Sequence, residues 1–337
     1  MEPRRIIAIG CSAGGVETLS RLVAGLPTDI PAAICVVVHF PAGSTSVLPR
    51  ILQRAGALPA VHARDGDALA AGHIYVAPPD WHLEVAGSVV HLSHGPAENS
   101  HRPAIDVLFR SVAQTWGGRA VGVILSGTGD DGTAGLAVLR ECGGVAVVQD
   151  PAEAIFAAMP RSALEHVDVN HCVRVSEMTP LLVDLASAPI RPTSHPQAIE
   201  CGDDDPVADA PEPTPIVGAG GLICPDCGGA LWEVQEGHVL RFRCRIGHTF
   251  SPESLLDQQA EALESVLWGA VRALEERAAL AQRMAERFRS RGDERLAVRF
   301  DARARASVDR ADVIRSALMI KSESSSNSAE PGSSPRA

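Results

Sequence analysis

The sequence predicts an α/β fold for its first half, a doubly wound, mostly parallel sheet between two layers of helices. Short runs of β-branched and other apolar residues alternate there with helix-length amphipathic segments, which is the βαβ pattern. Each run is apolar at successive positions, as in strands that are buried on both faces. Apolar residues make up 45% of the 337-residue chain, which is enough to form a sizeable core.

The segments between the predicted strands indicate how the sheet is built. The segment GGVETLSRLVAGLP places Val16, Leu19, Leu22 and Val23 at helical spacing, so it is predicted to connect two parallel strands. The segment HLEVAGSVVHLS alternates about a Gly-Ser turn and predicts a small antiparallel hairpin. The strand runs themselves read RIIAIG, AAICVVVH, HIYVAP, AVGVILSG and GVAVVQD.

The chain is predicted to have five parts, because its composition changes after the α/β region. A stretch rich in proline and aspartate is typical of a disordered linker, and the serine-rich end is typical of a disordered tail. Apolar residues three or four positions apart, which include Leu256 and Leu263, predict two long helices that pack along an apolar seam before that tail. The parts are 1–186 (α/β domain), 187–219 (linker), 220–250 (Cys/His module), 251–320 (helical hairpin or coiled coil) and 321–337 (tail).

Charge and composition exclude several classes of protein. A net charge of −11 and an aromatic content of 4% argue against nucleic-acid binding, which needs clustered positive charge and stacking surfaces. No stretch reaches the roughly 18 consecutive apolar residues of a membrane span, and the first apolar run is too short for a signal peptide. We therefore expect a cytoplasmic protein without membrane insertion, whose eight cysteines are thiols or metal ligands.

The first predicted strand runs into a glycine-rich turn, IIAIGCSAGG, that contains one serine. Nucleotide binding is one interpretation, but Gly10, Gly14 and Gly15 do not have the dinucleotide-binding spacing. The second strand ends in His39 where that motif needs an acid, and the turn lacks the lysine of a phosphate-binding loop. The other interpretation is a G-x-S-x-G turn that exposes a serine nucleophile.

Three residue types that together activate a serine are predicted at the carboxyl ends of three strands. Ser12 follows the first strand, His39 ends the second, and the loop with Asp130 and Asp131 follows a third. An imidazole oriented by a carboxylate can take the serine proton, although the order Ser, His, Asp differs from that of ordinary α/β-hydrolases. Spacing alone leaves open which acid is used and whether Ser12 is only a helix cap.

Six segments in order make residues 4–186 resemble the catalytic domain of CheB-type chemotaxis methylesterases. Members of that family hydrolyse glutamate γ-methyl esters on the cytoplasmic helices of chemoreceptors, and many also deamidate receptor glutamines. The resemblance implies the doubly wound α/β fold, acyl transfer without a cofactor, and methyl-accepting chemoreceptor helices as partners. The segments read IAIGCSAGGVETL, VVVHFPAG, GHIYVAPPDWHL, HRPAIDVLFRSVA, GVILSGTGDDGTAG and QDPAEAIFAAMPRSAL.

The same resemblance assigns roles to residues by motif. It implies Ser12 as the nucleophile, His39 as general base and then acid, and Asp131 as the orienting carboxylate. It further implies a set of residues that supply oxyanion donors or shape the site. These are Ala13, Gly14, Gly127, Thr128, Gly129, His101, Arg102, Met159 and Arg161.

The sequence departs from the family pattern at three places. Ala13 stands where the family usually has threonine, which removes a hydroxyl beside the nucleophile, and Thr128 stands where methionine is usual. Only nine residues precede Gly10. We therefore expect no N-terminal receiver domain of the kind that blocks the site in typical members, so the site is either open or controlled by another element.

The Cys/His module has the spacing of a metal site, with Cys224 and Cys227 in CPDC and Cys244 and His248 in CRIGH. Three thiolates and one imidazole suit a closed tetrahedral Zn²⁺ site without an open position for catalysis. The segment is too small to bury much core, so the metal would supply its folding free energy. The sequence therefore predicts structural Zn²⁺.

The charged helical segments near the C-terminus have two interpretations. They are either a solvated face over a packed seam or a surface for self-association or for a signalling partner. Together with the Cys/His module, they support a second hypothesis for the whole chain. In it, the protein is a non-catalytic adaptor that binds receptor helices and recruits a partner.

Overall fold

The computed structural model describes residues 2–40, 45–189, 221–236 and 239–326. It confirms the predicted α/β fold, because seven parallel strands form one sheet and two further strands form the predicted hairpin. In chain order the strands are β1 (Arg5–Cys11), β2 (Ala32–Val38), β3 (Ala60–His62), β4 (Ile74–Val76), β5 (His82–Ala86), β6 (Val89–Ser93), β7 (Ala120–Ile124), β8 (Val145–Gln149) and β9 (His171–Val173).

The sheet has the order β3-β4-β2-β1-β7-β8-β9, with β1 at its centre. Every residue of β1 is buried, which explains why the run carries no polar alternation. Cys11 at the end of β1 lies opposite Val38 of β2, and Gly10 lies opposite Ile124 of β7. The carboxyl ends of these three strands therefore meet at one edge of the sheet.

Helices cover both faces of the sheet, which gives the three layers that the sequence predicts. The helices are α1 (Gly15–Ala24), α2 (Leu48–Ala55), α3 (Ile105–Trp116), α4 (Thr133–Glu141), α5 (Ala158–His166) and α6 (Val175–Ser187). Ile7 and Ile9 of β1 belong to one apolar core with α1, α2 and α6, whereas Ile6 and Ala8 belong to another with α3, α4 and α5.

The Cys/His module forms a small antiparallel sheet in the same compact unit as the α/β domain. Its strands are β10 (Leu231–Glu236), β11 (Val239–Cys244) and β12 (Thr249–Phe250). Leu231, Phe242, Phe250 and Leu255 contribute to its core. At β12 it joins the α/β domain through a parallel bridge between Thr249 and Glu98.

The predicted helical hairpin is confirmed as a pair of long packed helices, α7 (Pro252–Arg289) and α8 (Glu294–Ser326). The rings of Phe288 and Phe300 stack 5.4 Å apart at the end where the chain reverses. Leu256 and Leu263, predicted in the apolar seam, are 66% and 56% exposed. Alanines occupy buried positions of the pair because they let helix backbones approach closely; they are Ala278, Ala281, Ala285, Ala297, Ala304 and Ala311.

The domain boundaries stay predictions. Helix α6 ends at Ser187, where the linker 187–219 is predicted to begin. Residues 190–220 of the sequence, which hold most of that linker, lie outside the described residues. Helix α8 continues to Ser326, past the predicted start of the tail, and residues 327–337 also lie outside them.

Candidate active site

Three neighbouring strands bring Ser12, His39 and Asp131 to one edge of the sheet. Ser12 follows β1, His39 follows β2, and Asp131 lies in the loop after β7. Backbone hydrogen bonds hold the first two in place. The Ser12 amide donates to the Ser126 carbonyl at 3.1 Å, and the His39 amide donates to the Cys11 carbonyl at 3.2 Å.

The turn around Ser12 requires glycine at three positions. A Cβ on Gly10 would lie 2.3 Å from Ile105, and one on Gly15 would lie 2.5 Å from Cys11. Gly14 has φ +71° and is the N-cap of α1, without a side-chain cap. Interpreting Ser12 as the cap of this helix is therefore wrong, and its hydroxyl is available for chemistry.

His39 is held by a short hydrogen bond to Asp131. The two atoms, His39 Nε2 and Asp131 Oδ2, lie 2.7 Å apart, and the two side chains are 5% and 2% exposed. An ionised carboxylate only accepts, so Nε2 carries a proton, and in the neutral form of the ring Nδ1 keeps its lone pair. Nδ1 is buried and has no hydrogen-bond partner among the described residues, so it is free to act as a base.

Asp131 is surrounded by donors. Its Oδ2 also accepts the Ile105 amide at 2.6 Å, and its Oδ1 accepts the Asp106 amide and Asn99 Nδ2, each at 3.2 Å. The two amides belong to the first turn of α3, where a negative charge is favourable. Asp131 thus fixes the histidine to the end of a helix.

The surroundings favour the ionised form of Asp131. Burial alone would raise its pKa, but the hydrogen bond and charge of His39, the charge of His101 and the Ile105 amide lower the pKa below the ordinary carboxyl value. Asp130, the other acid of the loop, is only half-buried. Burial raises the pKa of Asp130 against a hydrogen bond from Ser251, and Asp131 is the acid that lies against the histidine.

His101 stacks on His39, with ring centroids 3.7 Å apart and planes 16° apart. Burial, followed by the charge of His39, lowers the pKa of His101 to about 4, so its ring is neutral at neutral pH. The neutral ring covers one face of the base. The site-shaping role of His101 stays a prediction, and this contact is the geometry that would carry it.

The predicted oxyanion donors differ in availability. The Gly127 amide donates to the Phe156 carbonyl at 3.0 Å, so it is already engaged in this conformation, and its role as an oxyanion donor stays a prediction. The amides of Ala13 and Thr128 donate to no acceptor in the described part of the chain. Gly129 has φ +74° and supplies the flexible corner of the same loop.

The remaining predicted residues line or support the site to different degrees. Arg102 bonds Asp80 Oδ1 through Nε at 2.9 Å and Nη2 at 2.8 Å, and Gly95 O through Nη1 at 2.8 Å. Met159 is fully buried, whereas Arg161 is exposed on α5. A groove of about 480 Å³ lies beside the histidine, lined by His39, Phe40, Asp80, Ala97, Ser100, His101 and Arg102.

The thiol next to the serine is unsuited to nucleophilic chemistry. Cys11 is fully buried in the core below the turn. Burial raises the pKa of its thiol to about 12, so it is not a thiolate at neutral pH. Ser12 is therefore the better nucleophile of the two.

Sequence reasoning missed three polar residues behind Asp131. Asp106 is fully buried on α3, and Asn99 bonds both carboxylates, with its Nδ2 3.2 Å from Asp106 Oδ2 and from Asp131 Oδ1. Arg241 of β11 bonds Asp106 at 2.7 Å and is 1% exposed. An acid inside the apolar helix segment AIDVLF and an arginine inside VLRFRC are the signals that point to such a pair.

The four predicted metal ligands converge in the Cys/His module. The donor atoms of Cys224, Cys227, Cys244 and His248 all lie within 4.8 Å of one another. His248 Nδ1 lies 3.6 Å from Cys224 Sγ and 3.5 Å from Cys244 Sγ, and the sulfurs of Cys227 and Cys244 lie 3.6 Å apart. Tetrahedral bonds of about 2.3 Å to sulfur and about 2.0 Å to nitrogen give edges of about 3.5–3.8 Å, so the residues fit a metal ion.

The model of the CheB methylesterase family matches residues 7–182, just over half of the chain. The chain belongs to the CheB methylesterase family. The fold is similar to the crystal structure of the CheB methylesterase catalytic domain from Thermotoga maritima. The TM-score between the two structures is 0.52 at 31% sequence identity, over 54% of this chain and 98% of that one. The matched residues 7–182 contain the sheet except the first two residues of β1, and they contain the predicted catalytic residues.

Curated relatives of the chain are named as methylesterases. The protein-glutamate methylesterase/protein-glutamine glutaminase of Symbiobacterium thermophilum is 42% identical over 164 residues, 48% of this chain and 45% of that protein. The protein of the same name in Yersinia pestis bv. Antiqua is 39% identical over 183 residues, 53% and 52% of the two chains. The chain thus spans about half the length of the curated relatives it matches.

None of the described helices combines the length and the apolar character that crossing a bilayer needs.

Proposed function

We propose that this member of the CheB methylesterase family is a serine hydrolase that removes methyl esters from glutamate side chains of chemoreceptor-like proteins. The observation that carries the proposal is the 2.7 Å bond from His39 Nε2 to Asp131, which leaves Nδ1 as an unpartnered base at the strand edge of Ser12. The same acyl chemistry on a glutamine side chain gives deamidation, the second activity in the relatives' name.

The proposed reaction has two acyl-transfer steps. His39 Nδ1 takes the proton of Ser12 Oγ while that oxygen attacks the ester carbonyl carbon. The carbonyl electrons move onto oxygen, and the free amides of Ala13 and Thr128 stabilise this oxyanion. The intermediate then expels methanol with the proton from His39. Water, deprotonated by His39, attacks the acyl-serine and releases the glutamate carboxylate and the serine hydroxyl.

Apolar side chains near the site favour a helical protein substrate. Ile155, 59% exposed, lies against Gly14 in the serine turn, where a Cβ would be 2.9 Å from it. Phe156 is 43% exposed, and Trp81, which follows the groove residue Asp80, is 39% exposed. Exposed apolar anchors suit the apolar face of an amphipathic helix. We therefore infer that the substrates are methyl-accepting cytoplasmic helices of chemoreceptors.

Methanol release from a methylated chemoreceptor cytoplasmic fragment tests the proposal. Ser12→Ala should lower the rate by about 10³-fold or more, because the nucleophile is lost. Ser20→Ala is the matched control, since its hydroxyl only bonds the Val16 carbonyl within α1, and it should keep the wild-type rate. Equal rates for wild type and Ser12→Ala contradict the mechanism.

The adaptor hypothesis draws on the exposed apolar side chains of α7, among them Leu256, Leu263 and Trp268. In this hypothesis the helices serve self-association or a signalling partner, and the α/β domain binds receptor helices without catalysis. A fluorophosphonate probe separates the hypotheses. Labelling that disappears in Ser12→Ala and His39→Ala supports the enzyme, whereas stable receptor binding without any labelling supports the adaptor.

We also propose that Cys224, Cys227, Cys244 and His248 hold one structural Zn²⁺ ion. The chemistry of three thiolates and one imidazole, at tetrahedral spacing, supports zinc over metals that prefer oxygen ligands. Metal analysis of the purified chain should find one equivalent of zinc that is lost in Cys224→Ser. Cys172→Ser, at an exposed cysteine outside the cluster, is the control that should retain it. Unchanged zinc in Cys224→Ser contradicts the assignment.

A further inference from the structure

A continuous chain of hydrogen bonds joins the Cys/His module to the catalytic histidine. Arg241 of β11 donates to Asp106, Asn99 donates to both Asp106 and Asp131, and Asp131 accepts from His39. Residues 241 and 106 are 135 positions apart, so only the folded contact between module and α/β domain creates this chain. The module thus reaches the reaction centre through three buried polar groups.

Arg241 is the point at which the module enters the α/β domain. Its Nη1 lies 2.7 Å from Asp106 Oδ2 and its Nη2 lies 3.3 Å from Glu98 Oε2, while the side chain is 1% exposed. Glu98 also forms an ion pair with Arg110 of α3. A guanidinium in such a place bridges two carboxylates with fixed geometry, which a lysine cannot reproduce.

Asp106 links Arg241 to the loop that carries Asp131. Its Oδ1 accepts the amides of Gly132 and Gly135 at 3.0 and 2.7 Å, and so holds the first turn of α4 directly after Asp131. Burial raises the pKa of Asp106, to about 7, against the opposing charge of Arg241. Without Arg241 the pKa of this fully buried carboxyl would rise further, and a protonated Asp106 has less capacity to accept hydrogen bonds.

Asn99 is held by the module from the other side. The backbone N–H of Asn99 donates to the Thr249 carbonyl at 2.7 Å, and the side-chain Oδ1 of Asn99 accepts the backbone N–H of Ser251 at 3.0 Å. Asn99 is 3% exposed and has φ +49°, a conformation that asparagine tolerates. The segment after it supplies Ser100, His101 and Arg102 to the groove beside His39. The wall of the groove therefore depends on the contacts of Thr249 and Ser251 with Asn99, which do not involve Arg241.

We propose that Arg241 is a positioning residue of the esterase, which makes the Cys/His module a structural part of the active site. The proposal rests on the proposed function. Arg241 acts through Asp106 and Asn99 on Asp131 and touches no reacting atom. Since Arg241 does not line the groove, its loss should lower kcat and leave KM for the receptor fragment unchanged.

The test compares three variants of the full chain with wild type. Arg241→Gln removes the charge, Arg241→Lys keeps the charge without the planar fork, and Arg245→Gln changes an exposed arginine of the same module as the control. We expect Arg241→Gln to lower kcat on the order of 10- to 100-fold, because displacement of a catalytic group by about 1 Å costs about 10²-fold. Arg241→Lys should recover part of that loss. KM should stay within about twofold in all variants, since uniform substrate binding is unchanged.

Zinc content and thermal unfolding, measured on the same samples, show whether the module stays folded. If Arg241→Gln loses the fold, Arg241→Lys decides, and its kcat must then fall below that of Arg245→Gln. A kcat for folded Arg241 variants equal to that of Arg245→Gln overturns the inference, as does a loss that appears in KM alone. Failure of the proposed function is distinct, because wild type and Arg245→Gln would then release no methanol.

Discussion

Replacing Asp131 with asparagine tests how the site holds its base. The carboxylate accepts four hydrogen bonds, from His39 and Ile105 on one oxygen and from Asp106 and Asn99 on the other. Whichever way the asparagine amide turns, its NH₂ group faces a backbone N–H of α3 that then loses its acceptor. Leaving one buried donor unpaired costs about 1–3 kcal/mol of unfolding free energy.

The effect of Asp131→Asn on catalysis should be larger than its effect on stability. An amide NH₂ facing Nε2 favours the tautomer with the proton on Nδ1, and a protonated Nδ1 cannot accept the Ser12 proton. The corresponding change in serine proteases lowers kcat by about 10⁴-fold, or about 5.4 kcal/mol at about 1.36 kcal/mol per factor of ten. We expect a loss of this order in methanol release. Asp130→Asn, at the half-buried neighbour, should keep the rate within a few-fold.

The two results that would refute this reasoning are specific. One is an Asp131→Asn rate within tenfold of wild type, and the other is an equal loss in Asp130→Asn. Stability gives an independent check. Because the folded pKa of Asp131 is lowered, its contribution is present above the ordinary carboxyl pKa of about 4 and is lost as pH falls towards the folded value. The stability difference between wild type and Asp131→Asn should therefore shrink below about pH 4.

Two further substitutions check the groups around the base. Gly127→Ala would place a Cβ 2.0 Å from Met159 Sδ and 3.0 Å from Ser12 Cβ, so methanol release should fall on the order of 10²-fold. Gly269→Ala is the control, because its Cβ would meet no atom within 4 Å. Wild-type activity in Gly127→Ala would contradict this packing. Because the pKa of His101 is lowered to about 4, His101→Phe should leave the acid limb of the kcat–pH profile within about 0.3 pH units; an upward shift would show a cationic His101.

The sequence predicts the central sheet well, because buried parallel strands require continuous β-branched runs. It does not show the edge strands β3 and β9, which are only three residues long and pair on one side. The apolar repeat also places Leu256 and Leu263 in the helical seam, although both are exposed. Helical periodicity identifies the face of a helix, but which side chains are covered depends on where the partner helix lies.

In the candidate site, too, some residues could be predicted from the sequence and others could not. Strand ends place Ser12, His39 and an acid at one edge, because parallel strands finish together. The choice between Asp130 and Asp131 requires the loop conformation, which turns only Asp131 onto the helix α3 amides. Arg241 comes from another part of the chain, and no local spacing connects it to Asp106. Contacts of this kind depend on tertiary packing, which periodicity does not encode.

Ser12 and His39 are proposed to hydrolyse a receptor methyl ester by acyl transfer. In the most direct test, a methylated chemoreceptor fragment is incubated with the full chain in water enriched in ¹⁸O, and the ¹⁸O content of both products is determined by mass spectrometry. We expect the released glutamate to gain one ¹⁸O and the methanol to keep the ester oxygen, with neither product formed by Ser12→Ala. Methanol that carries ¹⁸O, or product formed equally by Ser12→Ala, would contradict the account.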